Sequence, residues 1–229
     1  MVRTAAARRA AEGAPRRRTA EPSQGAGRGA GPQRPAAAAE QPRARERRRE
    51  ILRAAARLFR EQGLAATGMR EIAAASGMAV GNLYYYFRDK GELLAFCQED
   101  ALDGLLALAD EVRALPDPAD RKLHELMVGH VALLHESTPG SIAHLEVSDL
   151  PAEARARVLA RRDAYEGVYR ELLREGQASG AFRALDVRVA AATILGALNW
   201  TAQWYRPGGG KDARRLGEEM ADQLLRGVR

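Results

Sequence analysis

One cysteine, Cys97, leaves no possibility of an internal disulfide or a multi-cysteine metal cluster. It fits a reducing compartment, and a place on a helix as a small hydrophobe accounts for it without redox chemistry. No run approaches the roughly 18 apolar residues of a membrane span, and the N-terminal arginines have no apolar stretch behind them of the kind an export signal needs. The expectation is a cytoplasmic protein, neither exported nor anchored. Catalytic patterns are missing too. There is no Gly-x-Ser-x-Gly, and nothing in the sequence brings a histidine to Cys97. His124, His130, His135 and His144 fall in the second half, and His130 and His135 are five apart, so they leave a helix on different sides rather than as an i, i+4 metal pair. They are read as satisfied or exposed side chains, or as lining for a ligand pocket. No enzyme, cofactor or metal is expected.

What is present is charge, unevenly placed. The formal net charge is +6, but residues 1–49 hold 13 arginines against 4 glutamates, while residues 97–229 have 17 basic against 21 acidic groups. Residues 1–42 are Ala, Arg, Gly and Pro with almost no branched apolar or aromatic side chain, too few to offset the entropy of ordering. A disordered basic tail is expected. Its run Gly25-Ala26-Gly27-Arg28-Gly29-Ala30-Gly31 has no strand before it and no helix primed after it, so it reads as a linker rather than a phosphate loop. The arginines are either an arm grazing the DNA backbone, favoured by counterion release, or a solvated tail.

From Pro42 onward the period is helical, and 46% hydrophobic residues suffice for a buried core. Ile51, Ala55, Leu58 and Phe59 form one stripe, with Arg47, Arg53, Arg57 and Arg60 turned elsewhere and a stop at Gly63. A short helix follows from Gly68 or Met69 to Ser76, with Glu71 placed to reach back to its free amides. Gly77-Met78-Ala79 then allows a sharp turn, and a third helix runs from Val80 to about Phe87. Asp89 and Glu92 make a capping box for the next helix. Residues 68–87 are therefore a helix-turn-helix candidate. Leu83, Phe87 and Val80 are expected to pack on Ile72 and Ala73, leaving Gly81, Asn82, Tyr84, Tyr85 and Tyr86 exposed. In a chain only 5% aromatic, three successive tyrosines on a short helix are unlike core. Their hydroxyls and rings suit phosphate bonding and contact with thymine methyls.

Ile51-Leu52-x-Ala54-Ala55-x-x-Leu58-Phe59-x-x-x-Gly63, then Met69-Arg70-Glu71-Ile72-Ala73, then Gly77-Met78-Ala79-Val80-Gly81-Asn82-Leu83-Tyr84-Tyr85-Tyr86-Phe87-x-x-Lys90-x-x-Leu93-Leu94 closely resembles the DNA-binding domain of the TetR family. The resemblance implies an all-α chain with a three-helix DNA-binding domain over residues 43–95 and a helical ligand-binding and dimerisation domain over residues 96–229. It implies that Tyr84, Tyr85, Tyr86 and the start of the third helix face the major groove, and that Lys90 clamps a phosphate. The expected DNA contacts are Gly68, Met69, Arg70, Val80, Gly81, Asn82, Tyr84, Tyr85, Tyr86 and Lys90. Ala79 stands where the family often has a capping serine, and Gly68 where it often has threonine, so each position lacks a hydroxyl contact.

Breakers at Pro116, Pro118, Pro139-Gly140, Pro151, Gly180 and Pro207-Gly208-Gly209-Gly210 divide the remainder into helices near 90–113, 119–136, 141–148, 151–177, 186–205 and 211–227, about nine with the first three. The helix from Asp186 is apolar around most of its circumference, which suits a dimer face as well as a core. Family resemblance implies that the last two long helices pair with their copies as a four-helix bundle. Trp200 and Trp204 lie one turn apart and either anchor the dimer seam or line a ligand cavity with Asn199. Gly196-Ala197-Leu198-Asn199-Trp200 and Trp204-Tyr205-Arg206-Pro207-Gly208-Gly209 resemble the C-terminal signature of a TetR subgroup that regulates fatty-acid or steroid breakdown, which implies an acyl-CoA thioester as effector. Arg155, Arg157, Arg161 and Arg162 either hold its phosphates or form a solvated face, and His144 joins the candidate ligand set. Two functions remain open: a homodimeric repressor released from a pseudo-palindromic double-stranded DNA operator by a small molecule, and a constitutive DNA-organising protein without a ligand.

Overall fold

The computed structural model describes residues 42–137, 150–206, 208 and 210–229. Among them are eight α-helices, one π-helical turn and no strand. In chain order these are α1 (Pro42–Gln62), α2 (Met69–Ala75), α3 (Val80–Tyr86), α4 (Lys90–Ala114), α5 (Ala119–Ala132), the π-helical turn Leu133–Ser137, α6 (Ala152–Ala178), α7 (Val187–Trp204) and α8 (Ala213–Arg226). The helix expected at 141–148 and the basic tail lie outside the described residues.

The N-terminal core follows from the stripe on α1. Ile51, Leu52, Ala55 and Phe59 are at most 1% exposed, and they meet Ile72, Ala73, Leu83 and Phe87, all fully buried. Gly77, at φ +64°, supplies the left-handed residue that turns α2 into α3. Asp89 caps α4 by accepting from the Glu92 amide at 2.8 Å. The return bond of the box is displaced by one residue, since the Glu92 carboxylate accepts from the Arg88 amide at 2.9 Å.

At 25 residues, α4 is about 37 Å long and runs through the whole hydrophobic core. Leu93, Leu94 and Phe96 are buried near its start, and Leu102, Leu105, Ala109 and Val112 further along. The expected domain boundary at residues 95/96 thus falls inside this helix. Beyond the first three helices the core is layered from α4, α5, α6, α7 and α8, with α5 lying along α8. That approach is close: a Cβ at Gly217 would stand 3.0 Å from both the Cα and the carbonyl oxygen of Val128. The α-helix expected to run to residue 136 ends at Ala132, where the wider π turn takes over. On α7, Ala191, Ile194, Leu198, Thr201 and Ala202 are buried. Val189, Trp200 and Trp204 point outward, at 62%, 62% and 49% exposure, so this apolar helix covers only part of its circumference within one chain.

Candidate functional site

The helix-turn-helix is held by bonds that leave its outer face open. The Gly68 amide donates to Glu71 Oε2 at 2.8 Å, so the carboxylate reaches back over the start of α2 without a hydroxyl at residue 68. Thr67 turns its own hydroxyl inward to the Gly63 carbonyl at 2.8 Å, and Ser76 bonds the Ile72 carbonyl at 2.7 Å. Leu83 and Phe87 anchor α3. Val80, expected to pack beside them, is 36% exposed, because the first residue of so short a helix lies beyond the edge of the α2 contact.

Gly68, Arg70, Gly81, Asn82, Tyr84 and Tyr85 are exposed, and Met69, Tyr86 and Lys90 are half-buried. Tyr86 departs from the expectation of three exposed tyrosines. It leans on the core, with Tyr85 edge-on to its ring at a centroid distance of 5.2 Å. The edge contact with this half-buried ring orients Tyr85. Lys90 donates to the Leu64 carbonyl, which ties the start of α4 to the loop after α1 and leaves two of its three ammonium protons.

Sequence reasoning missed Arg47. It lines an open groove of about 220 Å³ with Met78, Asn82, Tyr85 and Tyr86, so α1 adds a guanidinium beside α3, one that also pairs with Glu50 of its own helix. The density of arginines at the start of α1 was the available signal. Its neighbours are used differently. Arg45 and Arg49 reach Asp100 and Asp103 on α4, the shortest contacts being 2.8 Å, and the Asp100 carboxylate raises the Arg49 pKa. Arg48 lies over the Phe87 and Phe96 rings, 4.6 and 4.3 Å from their centroids. Part of the basic excess counted over residues 1–49 therefore secures α1 against α4.

The second region of interest lies among α5, α6 and α7. His130 Nδ1 meets the Tyr165 hydroxyl at 3.1 Å, and the Tyr165 and Tyr169 hydroxyls are 3.4 Å apart, all three residues being buried. His135 Nε2 meets the Thr201 hydroxyl at 2.8 Å, with its ring 4.5 Å from that of Tyr205. The two histidines face different partners, as their spacing predicts, but both turn inward. Burial lowers each pKa to about 4 and raises those of both tyrosines, so the whole cluster is uncharged near neutrality. Asn199 is half-buried within reach of this cluster.

The other candidate ligand residues are not gathered here. Arg161 is held by Glu99 and Asp103 at 3.5 Å each, and Arg157 by Glu99 at 2.9 Å. Arg162 donates to the buried Gln98 at 2.8 Å, and its burial lowers its pKa. Trp200 and Trp204 stand exposed on α7. His144 lies outside the described residues. Among those residues no three or more His, Cys, Asp or Glu are grouped to hold a metal, and no helix is long and apolar enough to cross a membrane.

Comparison with known proteins decides what this arrangement belongs to. Residues 51–96 match the family model of bacterial regulatory proteins of the tetR family, and residues 116–228 match a tetracyclin repressor-like C-terminal domain. The HTH-type transcriptional repressor KstR2 of Mycobacterium tuberculosis is 31% identical over 185 residues, covering 80% of this chain and 92% of that repressor. The chain belongs to the TetR family. It is accordingly a DNA-binding transcription regulator of helix-turn-helix type. Among solved TetR-family structures, PfmR of Thermus thermophilus is 34% identical with a TM-score of 0.72, covering 78% of this chain and 98% of its own. AibR, solved in complex with isovaleryl coenzyme A and operator DNA, is 28% identical with a TM-score of 0.68, covering 80% and 97%.

Proposed function

We propose that this regulator is a homodimeric repressor that occupies a pseudo-palindromic operator and leaves it on binding a small molecule, an acyl-CoA thioester. The observation that carries the reading is the pairing, in one chain, of an exposed tyrosine-bearing helix-turn-helix with a sensor interior whose polar groups are buried and uncharged. Such an interior suits an apolar effector bearing a few uncharged polar atoms. The complex of AibR with isovaleryl coenzyme A and operator DNA supports a thioester in a relative of the same fold. The similarity to KstR2, described as a ketosteroid transcriptional regulator, supports an effector with an extended apolar part.

On DNA, Asn82, Tyr84 and Tyr85 meet the major groove and its walls, with Gly81 permitting close approach and Val80 at the entry. Gly68, Met69 and Arg70 at the start of α2, and Lys90 at the start of α4, meet the backbone; Tyr86 positions Tyr85. A twofold dimer requires half-sites about 34 to 36 Å apart or a multiple of it. The exposed Val189, Trp200 and Trp204 of α7, with an open groove on α8 lined by residues including Met220 and Leu224, support that pair of helices as the dimer face.

Thermal-shift screening of the full chain against CoA thioesters, free acids and drug-like cations tests the effector class. A thioester should raise the melting temperature while the other classes do not. A shift produced by another class alone would replace the thioester reading, and no shift with any class would favour a constitutive DNA-binding protein. Footprinting should reveal two related half-sites; protection of one half-site by a monomer would contradict the dimer.

A further inference from the structure

Between α1 and α3 the surface is concave, and the concavity carries one charge. Asn82 and Tyr85, three residues apart, share one side of α3. With Met78 of the preceding turn, Tyr86, and Arg47 of α1 they line the open groove of about 220 Å³. These residues bring a thioether, two phenols, a carboxamide and the Arg47 guanidinium. Arg47 pairs with Glu50 one turn along α1, the two side chains being 42% and 46% exposed, and an exposed pair of this kind is held weakly. Other arginines of α1 are committed away from the groove, Arg45 and Arg49 to Asp100 and Asp103 of α4, and Arg53 to Glu46.

A helix with its side chains is about 10 to 12 Å across and the major groove of DNA about 12 Å wide, so a surface flanking a helix seated there meets the sugar-phosphate rows. The concavity is on such a flank, because it shares Asn82 and Tyr85 with the exposed face of α3. Resting on the seating of α3 in the major groove given above, we propose that this groove holds one phosphodiester of the operator backbone, with Glu50 as the internal competitor for its cation. The Arg47 guanidinium and the Tyr85 hydroxyl donate to the phosphate oxygens, and the deoxyribose lies against Met78 and the Tyr86 ring. In the free protein the Glu50 carboxylate holds Arg47 on its own helix. On DNA the phosphate takes the guanidinium, and Glu50 is left facing the backbone. The DNA interface thus extends beyond the helix-turn-helix to α1, and Glu50 keeps that extension weaker than Arg47 alone would make it. A phosphate carries charge and no sequence, so the contact sets affinity and register and reads no base.

The test titrates full-length wild type, Arg47→Gln, Glu50→Gln, the double variant and Glu46→Gln on footprinted operator duplexes, each with a single phosphate replaced by an uncharged methylphosphonate. Glu46→Gln removes the same charge from the same helix, from a carboxylate that pairs with Arg53 instead. One methylphosphonate position per half-site should weaken the wild type and leave Arg47→Gln unaffected. On the unmodified duplex Arg47→Gln should lower the salt slope by about one unit. Glu50→Gln should tighten binding about twofold to fivefold, the span of an exposed ion pair, and Glu46→Gln should do less. In the double variant the gain from Glu50→Gln should vanish. Penalties that fall alike on wild type and Arg47→Gln at every position would overturn the proposal. So would a Glu50→Gln gain matched by Glu46→Gln or kept without Arg47, since that is a long-range charge effect alone. Tyr84→Ala separates this inference from the seating of α3: lost binding there beside intact binding by Arg47→Gln strikes only the α1 contact, whereas intact binding by both strikes the seating as well.

Discussion

The two regions on either side of α4 treat polar groups in opposite ways. In the helix-turn-helix, Asn82, Tyr84 and Tyr85 face solvent, and the guanidinium of Arg47 stands beside them. In the helices beyond α4, His130, Tyr165, Tyr169 and Thr201 are at most 3% exposed. A hydrated polyanion is met by exposed donors, whereas the proposed apolar effector would be met by uncharged groups withdrawn from water. The regions also meet on one side chain. Asp103 of α4 accepts from Arg45 of α1 at 2.8 Å through one carboxylate oxygen and lies 3.5 Å from Arg161 of α6 through the other.

The contrast is broken most forcefully at its hinge. Phe87 is fully buried, flanked by Phe96 and Arg48. Phe87→Ala should cost about 3 to 5 kcal/mol, typical of a large core truncation. Operator binding should vanish while the sensor helices stay folded. In a urea titration an early transition should precede a later one reported by Trp200 and Trp204; a single transition shifted as a whole would show that the two regions unfold as one. Tyr85→Ala comes next, with a loss of about 1 to 3 kcal/mol in operator affinity and an unchanged melting temperature. Unaltered affinity would remove Tyr85 from the contact surface.

The interior side is sharpened by pH. His130 and His135 have folded pKa values of about 4 against an ordinary 6.5, so the unfolded chain takes up protons first as acid is added. Their contribution to stability is complete above pH 6.5 and is lost as pH falls toward 4, at up to about 1.4 kcal/mol per pH unit for His130. His135, nearer solvent, contributes less. Denaturant titrations between pH 6.5 and 5 should show this slope, and His130→Gln should flatten it; an equal slope in the variant would contradict a buried neutral imidazole. The smallest effect is expected at the phosphate contacts. Lys90→Ala and Arg47→Ala should each lower the salt slope of operator binding by about one unit, equally on operator and scrambled DNA. Parallel plots for variant and wild type would sink that assignment.

The helices of both regions were legible from apolar spacing and from Gly and Pro breaks, and α2 and α3 fell within a residue of their expected ends. The outward face of α3 was legible because a seven-residue helix leaves few positions to choose among. Val80 was misjudged because helical phase says nothing of where the neighbouring helix ends. Tyr86 was misjudged because a tyrosine can bury its ring and still keep its hydroxyl available. Inside the sensor the sequence was nearly silent. His130 and Tyr165 are 35 positions apart and meet only through the packing of α5 on α6, and no local pattern marks the π turn that carries His135. Asn199 was singled out beside Trp200, but its buried neighbour was His130 rather than the tryptophans, which stay on the surface.

The central claim, that a molecule bound among the sensor helices governs the DNA grip of α3, is tested most directly by following fluorescent operator DNA with full-length protein while an acyl-CoA thioester is added. The account predicts a saturable fall in anisotropy to that of free DNA, abolished in a variant that no longer binds the thioester but still binds the operator. Anisotropy that stays constant while calorimetry reports bound thioester would contradict it.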